Sequence, residues 1–391
     1  MKRTSFFLLL AVCLFVTACE NGSDSGHDSD PSKITAYEAV QIATEGIALL
    51  PDAVATTDRR VDPNKVKTCT STTAGKLFYV VNFADNAGFA VVRATRNAGP
   101  QLLAIVESGN YTPGSTTGNP SFDNYATLLI NYLIAAANQT ATAPAITASR
   151  SGWTSVGPFL SVKWGQEAPY NGYCWIKLEG DVNPQVCPAG SSVTAVAQIM
   201  SYHGHPAELP VTFINDTENE FTYTDIDANL TLDWSALKQY NVGNSAANAT
   251  GKKLAVLFRE IGQLSGTKYD VDGSSTPIGN TTEALHALGY VGCTLSSYDW
   301  QRVREDLDNE RPVFMGGSED DFVKGSSWVV DGYMTNVGQA GSNYIHINWG
   351  FNGYNNGYYL ADVFNSSAKA TGASYNYKSQ TITGIAVAPA N

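Results

Sequence analysis

Hydrophobic and polar positions change period several times along this chain. Thr35-Ala36-Tyr37-Glu38 has the spacing of a capping box, in which two side chains cap each other's backbone N–H groups. Ala39, Ile42, Ala43, Ile47 and Leu50 then recur at helical intervals. Leu77-Phe78-Tyr79-Val80-Val81-Asn82-Phe83 and Gly88-Phe89-Ala90-Val91-Val92 read as strands, with Asp85-Asn86-Ala87 as a hairpin turn between them. Leu102 to Val106 predicts another strand. Residues 124–136 predict a helix with Leu128, Leu129, Tyr132 and Leu133 on its apolar face. Residues 138–151 are mostly Thr, Ala, Pro and Ser with one Arg and no period, the signature of a linker. From Trp153 onward the texture becomes long strands, Gly-rich turns and two helices. The pattern thus predicts a small α+β domain at 34–140, a linker at 141–151 and a second domain at 152–391, with no internal repeat.

The amino terminus has a different pattern. Lys2 and Arg3 precede an apolar run from Phe6 to Val16 that is too short to span a bilayer as a mature helix. The run ends in Val16-Thr17-Ala18-Cys19, which resembles a bacterial lipobox, where the cysteine thiol takes a diacylglycerol. Residues 1–19 therefore read as a lipoprotein signal peptide and 20–33 as a disordered tether with no apolar anchor. The expected location is the cell envelope, lipid-anchored through Cys19 at the outer membrane or cell surface after secretion. The alternative is an ordinary secretory signal in which Cys19 is incidental.

Composition sharpens this picture. Of 391 residues, 43% are hydrophobic and only 15% charged, with 20 Tyr, which suits an extracellular β-rich protein of two domains. The net charge of -12, without a basic run in the folded part, argues against nucleic acid as a partner. Cys13 leaves with the signal and Cys19 is the lipid site, leaving Cys69, Cys174, Cys187 and Cys293. None has paired CxxC spacing, so no metal site is expected, and no cofactor. Cys174 and Cys187 are close enough in sequence to pair in an oxidising envelope; buried free thiols are the equal alternative.

The most informative stretch runs from Cys187 to His203. Gly190 ends a loop, and Ser191 to Tyr202 has helix-compatible spacing, with small Ala195 and Ala197 and stop signals at Gly204 and Pro206. A side chain at the start of such a helix feels the positive end of its dipole, where a thiolate would be stabilised. Ala197-Gln198-Ile199-Met200 and Tyr202-His203 resemble the active-site helix of the streptopain-like cysteine peptidases, with the nucleophilic cysteine falling on Ser191. Trp164-Gly165-Gln166 resembles the segment whose glutamine helps form the oxyanion hole, here Gln166. Leu232-Asp233-Trp234, Arg311-Pro312-Val313 and Gly316-Gly317 match further landmarks. Ser326-Ser327-Trp328-Val329-Val330-Asp331-Gly332-Tyr333 resembles the strand that begins with the catalytic histidine, which falls on Ser326. Tyr344-Ile345-His346-Ile347-Asn348-Trp349-Gly350 resembles the segment whose Asn and Trp, here Asn348 and Trp349, orient and shield that imidazole.

The resemblance implies an α+β, papain-like peptidase fold of a helical part and an antiparallel sheet part. The unit at 34–140 is similar to the family's inhibitory prodomain, especially Tyr79 to Val92 and Leu103-Ala104. It also implies a lost chemistry. The mechanism needs a thiolate and an imidazole that takes and returns the proton. Ser191 is a poor nucleophile without a base, and Ser326 is no base near neutral pH. Losing either member of such a pair costs on the order of a millionfold in turnover.

Of five histidines, His27 lies in the tether, His203 follows Ser191 by about 18 Å of helix, and His286 reads as a helix-surface residue. His346 reads as structural, because the family has a histidine there beside the catalytic one; Cys187 with His346 is the pair that would have to rescue activity. The expectation is a catalytically inactive pseudopeptidase that binds a peptide in the cleft, or a related peptidase or inhibitor. The alternatives are an active extracellular cysteine-type endopeptidase and, from the aromatic content alone, a surface adhesin or glycan-binding lipoprotein.

Overall fold

The computed structural model describes residues 30–389 apart from 56, 97–98, 138–151, 179, 181–182, 218, 241–247, 319–324, 337–341 and 366–377. The signal segment with Cys19, most of the tether with His27, and the linker at 141–151 therefore lie outside the described residues. Helix α1 (Ala36–Leu49) begins with the expected capping box between Thr35 and Glu38 and buries Ala39, Ile42, Ala43 and Leu49. Strands β1 (Val61–Ser71), β2 (Gly75–Phe83), β3 (Phe89–Arg93) and β4 (Leu102–Val106) follow in chain order. The β2–β3 turn places Asp85 and Asn86 at φ 55° and 57°, a region these residue types tolerate better than most. Strand β1 gave no apolar signal, because its exposed stretch at Pro63, Asn64 and Lys65 is polar and it lies at the sheet edge. Helix α2 (Pro120–Ala136) starts earlier than the apolar period suggests. Asn119 accepts from the Phe122 N–H, and Pro120 opens the first turn, where its missing N–H costs nothing.

The second unit comprises β5 (Trp153–Val156), α3 (Ser191–His203), α4 (Trp234–Lys238), α5 (Ala249–Leu264), α6 (Ile278–Ala287), β6 (Thr294–Ser297), α7 (Trp300–Asp308), β7 (Val313–Ser318), β8 (Ser326–Asn336), β9 (Asn343–Asn348), β10 (Gly357–Leu360) and β11 (Lys378–Thr383). The described part thus holds five helices where the pattern predicted two. Helices α4 and α7 have 5 and 9 residues, too few turns for a period to stand out.

One sheet of eleven strands runs through both units in the order β1-β2-β3-β4-β10-β9-β8-β7-β11-β6, with β5 pairing the far end of β8. The units join where β4 pairs antiparallel with β10, Val106 opposite Gly357 and Ala104 opposite Tyr359. A side chain at Gly357 would place its Cβ 2.3 Å from the Ile105 carbonyl oxygen, so glycine lets the two strands close. An apolar cluster under this sheet takes Phe78, Leu103 and Phe122 from one unit and Trp328, Trp349 and Tyr359 from the other. A second cluster, including Val193, Ile199, Leu257 and Leu285, packs α3, α5 and α6 together beside the other face of β8. This is the expected α+β arrangement, a helical part against an antiparallel sheet, preceded by a smaller α+β unit.

Candidate active-site cleft

Helix α3 is buried along its length from Ser192 to Ser201, which its small residues permit. Gly190, at φ 97°, turns the chain into it, leaving Ser191 at the first helical position. The Thr194 hydroxyl donates to the Gly190 carbonyl at 3.0 Å, and a Cβ at Gly350 would lie 2.9 Å from the Thr194 methyl. The buried Gln198 accepts from the Trp164 N–H at 3.3 Å, and the Ala189 N–H donates to the Gln166 carbonyl at 2.8 Å. These contacts tie the Trp164-Gly165-Gln166 segment to the loop that presents Ser191. The Gln166 amide Nε2 is buried and finds no acceptor among the described residues.

Strand β8 starts at Ser326, opposite Gly317 of β7. The Ser327 N–H donates to the Ser191 Oγ at 3.1 Å, and the Ser192 and Ser327 hydroxyls share a hydrogen bond of 2.9 Å. Ser191, Ser192, Ser274, Gly316, Ser326 and Ser327 line one small cleft of about 30 Å³, room for about one water. The structure therefore brings Ser191 and Ser326 to the same cleft and adds Ser192, Ser274 and Ser327, which the sequence reading missed. The doubled serines at 191–192 and 326–327 were the available signal.

Asn348 and Trp349 are not among the residues that line this cleft, and each is already engaged. The Asn348 amide donates to the Val162 carbonyl at 2.9 Å, and its oxygen accepts from the Gly350 N–H at 3.2 Å. The Trp349 indole donates to the Asn355 carbonyl at 2.9 Å, and its ring lies 5.0 Å from Trp328 and 6.1 Å from Tyr125 of the first unit.

No histidine or carboxylate lines the cleft among the described residues. His346 sits in β9, buried, with its Nδ1 2.5 Å from Asp331 and its Nε2 3.0 Å from Glu107 of the first unit. Burial alone would lower its pKa; the two carboxylates reverse this and hold it up at about 10, so it is an imidazolium at neutral pH. Burial likewise works against the ionised Glu107, yet the adjacent His346 keeps it below the usual carboxylate range. Both ring nitrogens of His346 are thus committed, and neither can serve as a base for Ser191. His203 closes α3 at the end opposite Ser191, with burial pushing it down to about 4, and His286 is exposed on α6. Cys174 and Cys187 face each other beyond the Trp175–Val186 strand pair as free, buried thiols. Burial raises them to about 12 and about 11, the opposite of an activated nucleophile. Neither Glu107 nor its ion pair was foreseen.

Comparison with known proteins agrees with this architecture. The model of the Peptidase C10 family matches residues 164–359. Streptopain of Streptococcus pyogenes is 25% identical over 342 residues, covering 80% of this chain and 81% of that protein. The thiol protease/hemagglutinin PrtT of Porphyromonas gingivalis is 22% identical over 333 residues, which are 79% of this chain and 37% of that one. Among solved structures, a fragment of Prevotella intermedia prointerpain A superposes with a TM-score of 0.60 at 24% identity, over 80% of this chain and 96% of the fragment.

Proposed function

Starting from a chain that belongs to the Peptidase C10 family, we propose that it is a silenced cysteine peptidase homologue, kept in a zymogen-like form, that binds a peptide, a peptidase or an inhibitor instead of cleaving. The observation that carries this reading is the hydrogen bond from the Ser327 N–H to the Ser191 Oγ in a cleft without an imidazole among its described lining. In the resembling peptidases the position of Ser191 carries the thiolate and that of Ser326 the histidine. A hydroxyl and a second hydroxyl at those places leave no group to accept the proton when the nucleophile attacks. Gln166, Asn348 and Trp349 then serve to hold the shape of the cleft. Export and a lipid on Cys19 complete the proposal, and place the protein in the cell envelope with the binding unit at the end of a polar tether.

A protein that cannot cut itself keeps its first unit unless another protease acts near Arg150. Purified residues 20–391, held for days under reducing conditions, are expected to remain one chain by mass spectrometry and to leave an unstructured protein substrate intact. Spontaneous appearance of a form starting near residue 151 sinks the reading.

A further inference from the structure

A second cavity, of about 250 Å³, lies between the two units and shares no lining residue with the serine cleft. Val54, Arg59 and Glu107 line it from the first unit, and Lys163, His346 and Asn356 from the second. At about 30 Å³ per water it is roomy enough for a small organic molecule.

Its cations outnumber its anions. Arg59, Lys163 and the His346 imidazolium face Glu107 and, behind the imidazole, Asp331. Arg59 is only 9% exposed. Its Nη1 donates to the Val54 carbonyl at 2.6 Å and its Nη2 to the Glu107 carbonyl at 3.3 Å, neither of them a charge. Its Nε–H is buried with no acceptor among the described residues. A buried guanidinium with an unmet donor is costly unless an acceptor arrives, and a carboxylate is the acceptor whose geometry it matches.

We propose that this inter-unit cavity is a binding site for a small organic carboxylate, held by the Arg59 guanidinium and the Lys163 ammonium. The ligand touches both units at once, so it fastens the first unit to the second.

Succinate is the probe. Titrated calorimetrically into residues 20–391 at matched ionic strength, it is expected to bind saturably, one per chain, and to raise the melting temperature. Lys163→Met, on an exposed side chain that leaves the fold intact, is expected to weaken it at least tenfold. Arg59→Met, checked for native circular dichroism, is expected to abolish it. Heat that vanishes when ionic strength is matched with sodium chloride, or undiminished binding in Lys163→Met, overturns the site. Saturable binding of inorganic phosphate without succinate overturns the carboxylate assignment.

Discussion

The proposed loss of catalysis turns on two hydroxyls, Ser191 and Ser326, at the positions where the resembling peptidases carry a thiol and an imidazole. Ser191 has an oxygen where the mechanism wants a sulfur, and it accepts a hydrogen bond from the backbone of Ser327 instead of giving a proton to a base. The thiols the chain does possess are poor substitutes. Cys69, Cys174 and Cys187 are buried, and burial raises Cys69 and Cys174 to about 12 and Cys187 to about 11. Iodoacetamide at pH 8 is therefore expected to leave these three unmodified in the native protein and to label them on unfolding, as read by intact mass. Rapid native labelling of Cys187 would revive it as a displaced nucleophile. The site positions were singled out because motif residues surround them: Gln198 and Met200 mark the helix, and Trp349 and Gly350 the strand end. The serine partners at 192 and 327 were not, because a hydroxyl pair 135 residues apart in sequence leaves no local pattern.

Elements were readable where an apolar period or an unbroken apolar run meets recognisable caps and turns. Helix α1 and the β2–β3 hairpin emerge from their periods, their caps and their turn residues. Strand β1 and helices α4 and α7 did not, since the first is polar along its exposed stretch and the others are brief. The close approach of α3 to β9's outgoing turn depends on Gly350, whose φ is 74° and whose added Cβ would meet Thr194. Gly350→Ala is expected to lower stability by about 1–3 kcal/mol through strain in the left-handed region and crowding. Urea unfolding reads this, and a loss under 0.5 kcal/mol contradicts the packing described for α3. The β4–β10 junction depends in the same way on Gly357, 2.3 Å from the Ile105 oxygen for any Cβ. Gly357→Val is expected to part these strands, seen as faster amide exchange at residues 104–106. Unchanged exchange there would show that the strands do not need the close approach.

At the scale of the molecule, the units share a sheet, a core and one buried ion pair. His346, held between Asp331 of its own unit and Glu107 of the other, is the charged part of that junction. Its folded pKa, about 10, lies above its ordinary 6.5. The stabilisation is therefore complete below about pH 6.5 and is lost as pH rises toward 10. Removing one partner leaves the other charge buried, so Glu107→Gln is expected to cost about 3–5 kcal/mol at neutral pH and to flatten the fall in stability between pH 7 and 10. A Glu107→Gln variant with the natural slope would mean that the junction does not rest on this pair. The sequence pointed to two units, a linker and the order of motifs, yet nothing in it announced that the sheet runs unbroken between them. Strand pairing between distant segments depends on which edges meet, and Glu107 stands at the end of an apolar strand like any solvent-facing carboxylate.

The claim that this fold has lost its catalysis by two replacements is tested most directly by reversing them. Residues 20–391, natural and with Ser191→Cys/Ser326→His, are assayed side by side under reducing conditions on an unstructured protein substrate. The expected result is cleavage and self-processing by the restored protein, blocked by a thiol alkylator, with neither in the natural one. Cleavage by the natural protein at a comparable rate would contradict the account and turn attention to groups outside the Ser191–Ser326 cleft.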